Sequence, residues 1–457
     1  MAPRARRNLR FMHALIDRTF SAVASASLDL APRRFGRVVA CDGGLIEVSG
    51  LGVPIGTICA IAQGESSEHR AETIGFRNGH TMMMMLGDTV LLRPGAIVRP
   101  EGRPGMLSVG QEFLGRAVDG SGEPIDGGGP VMATTSWPAG GYRVGALDRS
   151  RVTQVFDSGI RSLNALTTFG VGQRIGIMAG SGVGKSVLMD MIVDNAQADA
   201  VVVGLIGERA REVSDFVTRH MAGDRAAKTA IVAVPADHAA NLRLRGAMLA
   251  TSIAEHLRSQ GKRVLLILDS LTRVAHAARE IGILLGEPGA ARGYPPSALS
   301  AITKLIERAG NSEESGGAIT GIYTVLADGG DMEDPVVDTA RAIVDGHIIL
   351  SRQLAEQGVY PAIDIGKSLS RVATDIVDDG QRAGLVRPPP EHDVEVGLGR
   401  ALGVAAHQQQ PHQQQQYRKN WGGQPFARGN HGVSPASGSS VSISSCGLAS
   451  CSPVAWV

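Results

Sequence analysis

The chain has 457 residues, of which 43% are hydrophobic and 19% charged, and this balance is typical of a globular protein with two or three domains. A formal net charge of +1 excludes a surface generally adapted to coating nucleic acid or membranes. No apolar run approaches the roughly 18 residues of a membrane-spanning helix. The four cysteines lack zinc or thioredoxin spacing, which predicts a cytoplasmic protein with reduced thiols.

The first 110 residues divide into two regions of different character. Residues 1–30 form a basic arm with a candidate apolar helical face, Leu9, Met12, Ile16 and Phe20. This pattern predicts a surface helix, or a helix that docks on a partner or an acidic lipid surface. Residues 31–110 contain short apolar runs broken by Gly, Pro and Asp, which predict a small antiparallel β-barrel domain.

Residues 140–380 alternate apolar strands with helical patterns. The candidate strands are 174–178, 200–206, 231–234, 264–268 and 319–326, and a candidate helix, 245–260, lies between two of them with Gly261 as its C-terminal cap. This alternation predicts an α/β domain with a parallel sheet covered by helices. Residues 381–457 are rich in Pro, Gln and Ser, and this composition predicts a disordered, low-complexity tail.

A glycine-rich segment follows the first of these strands and leads into a helical pattern. It consists of Ala179, Gly180, Ser181, Gly182, Val183, Gly184, Lys185, Ser186 and, as the helix continues, Val187. Strand, glycine-rich turn and helix are the context of a phosphate-binding P-loop, although Ala179 stands where the strict pattern has glycine. Backbone N–H groups and the helix N-terminus then bind phosphate, Lys185 reaches the β- and γ-phosphates, and Ser186 ligates Mg²⁺.

Carboxylates follow two other strands. Asp269 ends the run 264–268, at the edge where ligand crevices of parallel sheets open, and beside a P-loop it is expected to hold Mg²⁺ through water. Glu208 and Glu212 both follow the run 200–206. Either carboxylate could polarise the attacking water, and acids also favour helix starts. Spacing alone leaves the choice between them open.

Gly207-Glu208-Arg209 with Arg211-Glu212 resembles the Gly-Glu-Arg-x-Arg-Glu element of the rotary ATPase superfamily. Further motifs follow in that family's order: Leu-Thr-Arg at 271–273, Arg-Gly-Tyr-Pro-Pro-Ser at 292–297, Glu-Arg-Ala-Gly at 307–310, Tyr-Pro-Ala-Ile-Asp at 360–364 and Ser-Leu-Ser-Arg at 368–371. Over about residues 35–377 the set resembles the ATPases of type III protein export, and the flagellar branch in particular. The resemblance implies a RecA-like P-loop NTPase domain, related to the catalytic subunits of ATP synthase.

The resemblance also implies residue roles. Glu208 matches the catalytic glutamate that orients the lytic water, and Tyr360 matches the aromatic residue that packs on adenine. Arg371 matches an arginine finger that a neighbouring subunit presents to the γ-phosphate, and its planar, permanently charged fork suits that task. With Lys185, these residues imply a Mg-dependent ATPase that acts as a homohexamer, with ATP bound at subunit interfaces.

Export is the function that the resemblance implies. Hydrolysis would release export substrates from chaperones and deliver them to a membrane export gate. The implied partners are those chaperones and substrates, the gate, and a stator-like regulatory dimer that binds the arm at 1–30. The implied location is the cytoplasm, peripherally at the inner membrane. Nucleic acid is not expected as a partner, because residues 31–110 have few aromatics for base stacking.

Several alternatives remain. A virulence-type injectisome ATPase is the nearest, although residues 339–343 and Ile365 favour the flagellar branch. Glu208 argues against a non-catalytic rotary subunit, and a helicase-type translocase or a module that holds ATP without turnover are further options. The family continues into a C-terminal helical domain, in whose place this chain has 381–457. A reading-frame change near 378–385 or a genuine lineage-specific tail would each explain that difference.

Overall fold

The computed structural model describes residues 34–42, 44–63, 67–87, 92–142, 144–223, 225–327, 333–380 and 382. These residues belong to two compact units, one that ends at Pro104 and one that begins at Gly105. The predicted basic arm, 1–30, lies outside the described residues, and so does the predicted tail, 381–457, apart from Arg382. No helix in the described ranges is long and apolar enough to cross a membrane.

The first unit is a closed antiparallel β-barrel, which confirms the predicted fold. Its strands are β1 (Gly36–Asp42), β2 (Leu45–Ser49), β3 (Ile58–Gln63), β4 (Ser67–Arg77), β5 (His80–Met85) and β6 (Ile97–Glu101). They pair in the order β1-β2-β5-β4-β3-β6, and β6 returns to β1. Ile46, Ile61, Met83 and Val98 meet in the barrel core, because alternate residues of a strand face inward. Met83 and Met85 belong to this core, and the side chains of Met82 and Met84 are also buried.

The second unit is an α/β domain. Its strands are β7 (Met106–Val109), β8 (Ala117–Val118), β9 (Thr135–Pro138), β10 (Arg174–Ala179), β11 (Ala200–Ile206), β12 (Thr229–Val234), β13 (Arg263–Asp269), β14 (Gly310–Asn311), β15 (Ala318–Leu326), β16 (Gly346–Ile349) and β17 (Leu369–Ser370). Its α-helices are α1 (Arg161–Leu166), α2 (Lys185–Asn195), α3 (Ala210–Met221), α4 (Ala240–Ser259), α5 (Leu271–Leu284), α6 (Pro296–Ile306), α7 (Pro335–Ile343), α8 (Arg352–Glu356) and α9 (Ala373–Ile376). Short 3-10 turns occupy Gln111–Phe113, Ala146–Asp148, Ala226–Lys228 and Ala291–Gly293.

In the described part of the chain, the main sheet has the order β17-β16-β10-β15-β13-β11-β12-β8, and β14 pairs with β15. Strands β8 to β16 along this order are parallel, whereas β17 and β14 pair antiparallel with their neighbours. Every residue of β11 and β12 is buried, as expected of strands covered by helices on both faces. The parallel sheet is therefore confirmed, and it also takes in β8, which precedes the predicted domain start at 140.

Helix α4 begins at Ala240, five residues before the predicted start at 245. Its N-cap, Ala239, makes no side-chain capping hydrogen bond, so the sequence carries no capping residue to mark the start. The other end agrees with the prediction. Gly261 has a φ of 80°, and the N–H groups of Gly261 and Lys262 donate to the carbonyls of Arg258 and Leu257. This arrangement is a Schellman C-cap, which requires the left-handed conformation that glycine adopts easily.

A buried ion pair joins Glu255 of α4 to Arg308, which follows α6, and both residues also contact the end of β9 through hydrogen bonds. Arg308 Nη2 lies 2.7 Å from Glu255 Oε2, and Trp137 Nε1–H donates to the same oxygen at 2.9 Å. Arg308 also donates to the carbonyl of Ala139 at 2.8 Å. Because each charged group has several partners, the pair is well satisfied despite its burial. The arginine of the Glu-Arg-Ala-Gly motif therefore has a structural role here.

Candidate functional site

The glycine-rich segment connects β10 to α2 as predicted. Gly182 and Gly184 have φ values of 76° and 90°, in the left-handed region that favours glycine. A Cβ atom at Gly184 would also lie 3.3 Å from Tyr360 Cε1, so the ring and the loop are in close contact. Ala179 is the last residue of β10, and its methyl group packs in the domain core. Its position in the strand explains why the departure from glycine is accommodated.

Register brings the other strand ends to the same edge of the sheet. Ala179 pairs with Leu326 across β10 and β15, and Leu205 pairs with Asp269 across β11 and β13. Since these strands are parallel, the segments that follow their carboxyl ends are neighbours. The P-loop, the Glu208 segment and Asp269 therefore converge at one edge, which we call the carboxyl edge.

Three charged side chains meet at this edge. Lys185 Nζ donates to Asp269 Oδ1 and lies 3.5 Å from Glu208 Oε1. The side chains of Lys185, Glu208 and Asp269 are 11%, 13% and 6% exposed. Because burial lowers the local dielectric constant, the interactions among these charges are stronger than they would be in water. The ammonium group thus lies between two carboxylates, next to the predicted phosphate site.

The electrostatic environment of Glu208 is unusual. Burial raises the pKa of its carboxyl group and the neighbouring Asp269 carboxylate raises it further, while Lys185 opposes the shift. A carboxylate with a raised pKa is a better proton acceptor at neutral pH, which suits a group that orients or activates water.

Glu212 lies in a different environment. It is in the first turn of α3, its side chain is 47% exposed, and its Oε1 is 3.2 Å from Arg209 Nη1. The structure therefore places Glu208, and not Glu212, beside the P-loop lysine. This geometry favours Glu208 for the role that spacing alone left open.

Two further residues at this edge were given no role by sequence reasoning. Thr324 is completely buried, and its Oγ1–H donates to Asp269 Oδ1 at 2.5 Å. Arg273 packs against Gly207 and, by its positive charge, favours the ionised form of Glu208. In the sequence, the features that could have pointed to them are a hydroxyl within the apolar strand 318–326, for Thr324, and the arginine of the Leu-Thr-Arg motif, for Arg273.

The donor set at the carboxyl edge suits Mg²⁺. Ser186 is the second residue of α2 and is exposed, and Asp269 supplies a carboxylate. Both offer hard oxygen ligands, and Mg²⁺ in nucleotide sites takes one or two such groups together with waters and phosphates. No group of three or more metal-ligating side chains occurs in the described ranges. A metal at Ser186 and Asp269 would accordingly depend on a bound phosphate.

Tyr360 lies beside the P-loop. Its ring contacts Gly184, its hydroxyl donates to the carbonyl of Ala355 at 3.3 Å, and the residue is 39% exposed. Val187, on the first turn of α2, is 59% exposed. The ring therefore has a fixed position and an accessible surface, as stacking on a flat base requires.

Arg371 is not brought together with these residues. It follows β17, in which Ser370 pairs with Gly346, and Gly346 in turn pairs with Ile175 near the start of β10. The P-loop follows Ala179 at the other end of β10, a rise of about 13 Å along the strand. Arg371 is exposed and lies at the opposite, amino edge of the sheet.

Comparisons with known proteins show which family the chain resembles. The chain matches the family model of the ATP synthase alpha/beta nucleotide-binding domain over residues 159–370 and that of the beta-barrel domain over 38–102. It is 45% identical over 358 residues to the flagellum-specific ATP synthase of Pseudomonas aeruginosa, covering 78% of this chain and 79% of the relative. It is 41% identical over 358 residues to the type 3 secretion system ATPase of Xanthomonas euvesicatoria, covering 78% and 80%.

Solved structures show the same similarity. The assembled ATPase EscN from the type III secretion system of enteropathogenic E. coli superposes with a TM-score of 0.71 at 38% identity, covering 77% of this chain and 84% of EscN. EscN in complex with its central stalk EscO gives a TM-score of 0.70 at 34% identity, covering 86% and 90%. The chain therefore belongs to the ATP synthase alpha/beta family, in the group of the flagellum-specific ATP synthases and the type III secretion ATPases.

Proposed function

We propose that this chain is the ATPase of flagellar type III protein export and hydrolyses Mg-ATP as a homohexameric ring. One observation carries the proposal. Lys185, Glu208 and Asp269 meet at the carboxyl edge, whereas Arg371 lies exposed at the amino edge. A head-to-tail ring brings the amino edge of one subunit to the carboxyl edge of the next, so that every site receives an arginine from its neighbour.

At the carboxyl edge, the P-loop N–H groups and Lys185 bind the phosphates. Ser186 and Asp269 would hold Mg²⁺, which would supply positive charge to neutralise the phosphate oxygens. Glu208 orients the attacking water and accepts its proton, a task that its raised pKa favours. Tyr360 stacks on the adenine ring and thereby fixes the nucleotide along the P-loop.

Arg371 of the neighbouring subunit completes the site. Its guanidinium neutralises the equatorial oxygens of the γ-phosphoryl group as charge develops there. An isolated subunit therefore lacks one catalytic group, and assembly activates it. EscN, a relative of 38% identity, has been solved as an assembled ATPase, which supports assembly of this chain.

The flagellar branch has the better support. Over 358 residues the chain is 45% identical to a flagellum-specific ATP synthase and 41% identical to a secretion ATPase. The similarity to EscN keeps an injectisome ATPase as the second candidate. Expression in a flagellar ATPase deletion strain tests the choice. Restored swimming supports the flagellar function, and restored effector secretion in an injectisome deletion strain without restored swimming supports the other.

The remaining partners and the location follow from the same proposal. Substrate release from export chaperones and delivery to the membrane gate place the ring in the cytoplasm, peripherally at the inner membrane. A stator-like dimer would bind the basic arm, 1–30. EscN has been solved with its central stalk EscO, which supports a comparable stalk in the ring proposed here.

ATPase rate per subunit, measured against protein concentration, tests the shared site. In the wild type the rate should rise steeply as rings form, and Arg371→Ala should abolish the rise and lower turnover about a thousandfold. Removing Mg²⁺ with a chelator should stop hydrolysis and weaken nucleotide binding. A rate independent of concentration and unaffected by Arg371→Ala would show that the shared-site mechanism is wrong.

A further inference from the structure

Gln173 is a completely buried glutamine directly before β10. Its backbone N–H donates to the carbonyl of Gly170 at 3.1 Å, and its carbonyl accepts the N–H of Gly321 at 3.0 Å. The first bond closes a turn, and the second ties the residue to β15. The backbone of Gln173 is therefore fixed on both sides within the body of the domain.

The carboxamide of Gln173 is equally constrained. Its Oε1 accepts the N–H of Gly170 at 2.8 Å. Its Nε2 donates to the carbonyl of Asp345 at 3.2 Å and to Ser370 Oγ at 3.1 Å. An N–H can only donate and a carbonyl can only accept, so these partners define which end of the amide is oxygen. The side chain forms a satisfied polar bridge inside the protein.

The two groups that accept from Gln173 Nε2, the Asp345 carbonyl and Ser370 Oγ, both lie next to Arg371. Ser370 directly precedes Arg371 in the chain. The carbonyl of Asp345, which accepts a hydrogen bond from Gln173, also accepts the N–H of Arg371 at 3.0 Å. Asp345 is itself fixed, because its Oδ2 accepts the N–H of Arg174 at 3.1 Å. Gln173 therefore contacts both the residue that precedes Arg371 and the carbonyl that accepts the N–H of Arg371.

The other interactions described for this part of the chain lie mainly before Ser370, such as the N–H of Ile349, which donates to Ser368 Oγ at 3.0 Å. Strand β17 has only two residues and forms the edge of the sheet through two residue pairs with β16. Leu369 is 48% exposed and Arg371 is exposed, so their side chains contribute little anchoring. A long arginine can reach a neighbouring subunit accurately only if its base is fixed, and a displacement of about 1 Å at a catalytic group can cost about a hundredfold in rate.

We propose that Gln173 is a positioning residue for the arginine finger. It fixes the base of Arg371 through Ser370 and Asp345, and it does so from the start of the strand that leads to the P-loop. This inference rests on the proposed function, in which Arg371 acts on the nucleotide of a neighbouring subunit. Gln173 has no part in the nucleotide site of its own subunit, which lies at the other end of β10.

Mixed assemblies test the proposal. Gln173→Leu keeps the size of the side chain and removes its hydrogen bonds. Alone, it should lower turnover up to about a hundredfold while affinity for a fluorescent ATP analogue stays within about twofold. A subunit with Glu208→Gln lacks the catalytic carboxylate but keeps an intact arginine finger. Mixing the two should restore activity, because a Gln173→Leu site then receives a correctly placed Arg371 from its neighbour.

Two controls keep the outcomes distinct. Gln111→Leu, at an exposed glutamine that bonds Gln260, should leave turnover unchanged. The pair Arg371→Ala and Glu208→Gln tests the finger itself, and failure of that mixture to recover activity would overturn the shared site. If that pair recovers activity and the Gln173→Leu mixture does not, the positioning role is wrong, because the damage then lies in the variant's own site.

Ser370→Ala provides a gentler variant if Gln173→Leu does not fold, as judged by circular dichroism. It removes one of the two groups that accept from Gln173 Nε2 and leaves the packing of Gln173 intact. A several-fold loss of turnover that mixing with Glu208→Gln restores would support the positioning role. Full activity of Ser370→Ala alone, or a loss that mixing does not restore, would overturn it.

Discussion

The two ends of the strands in the main sheet, the carboxyl edge and the amino edge, organise their functional groups in different ways. At the carboxyl edge, the largely buried side chain of Lys185 contacts the carboxylates of Glu208 and Asp269. At the amino edge, the side chain of Arg371 is exposed, and it is the backbone that is held, through Asp345 and Ser370. The groups that we propose act within one subunit are thus preorganised by mutual contact. Arg371, which we propose acts on another subunit, is held at its base, which leaves its charged end available.

The largest expected effect concerns the carboxylate beside Lys185. Glu208→Gln keeps the shape of the side chain but cannot accept a proton, so turnover should fall about 10²- to 10⁴-fold. Binding of a fluorescent ATP analogue should persist, because Lys185 and the P-loop are unchanged. Single-turnover hydrolysis measures the loss directly.

Glu212→Gln is the matched control, since this side chain is half exposed and faces Arg209. Its turnover should stay within about twofold of the wild type, as expected of an exposed ion pair that contributes little. Equal losses in the two variants would contradict the separation of roles that the carboxyl edge indicates.

An intermediate effect is expected at Thr324, which touches Asp269 but not the predicted phosphate site. Thr324→Val removes the hydroxyl that orients the Asp269 carboxylate. Substitution of groups that orient a metal ligand typically costs about 10- to 100-fold in metal affinity. We expect the Mg²⁺ concentration for half-maximal nucleotide binding to rise by that factor, measured by titration at fixed ATP analogue.

Thr324→Ser supplies the control, because it retains the hydroxyl while removing the methyl group. It should keep Mg²⁺ dependence close to that of the wild type. If the serine and valine variants shift the Mg²⁺ titration equally, packing rather than the hydrogen bond explains the effect, and Thr324 has no orienting role.

The smallest expected effect is on stability, and it concerns a charge cluster between helices α2 and α3. His220, on α3, lies 2.9 Å from Asp190 and 3.2 Å from Asp194, both on the P-loop helix α2. Burial disfavours the charged imidazolium, but the hydrogen bonds and charges of the two aspartates outweigh it and raise the pKa of His220 to about 9. Arg219 also pairs with Asp190. The cluster joins the helices that follow the P-loop and Glu208.

The pH dependence follows from the raised pKa. The stabilisation is fully present below about pH 6.5, the unfolded value, and is lost as pH rises towards 9. The difference in melting temperature between the wild type and His220→Gln should therefore be largest near pH 6 and shrink by pH 9. Burial lowers the pKa of His256, so the difference for His256→Gln should not shrink over that window. Parallel curves for the two variants would contradict the stabilising role of the charge cluster.

Several features of the carboxyl edge could be predicted from sequence because they are local. The P-loop is contiguous, and Asp269 ends an apolar run at a strand terminus. Glu208 and Glu212 could not be separated by pattern, since both follow the same strand and only the fold shows which one faces Lys185. Thr324 is one of three hydroxyl-bearing residues in β15, with Thr320 and Tyr323, so the sequence does not single it out. The contact between Gln173 and Ser370 spans 197 positions, so no local sequence pattern predicts it.

The closed barrel has a consequence for how copies of this chain can associate. A sheet with unpaired edges can be extended by a strand from another molecule, which leads to open-ended aggregation. In the barrel unit β6 returns to β1, so strand addition has no template there. Any contact that a barrel makes must rely on side chains matched in shape and charge. In the main sheet, β17 is an edge, but two residues and a following arginine make it a poor site for strand addition.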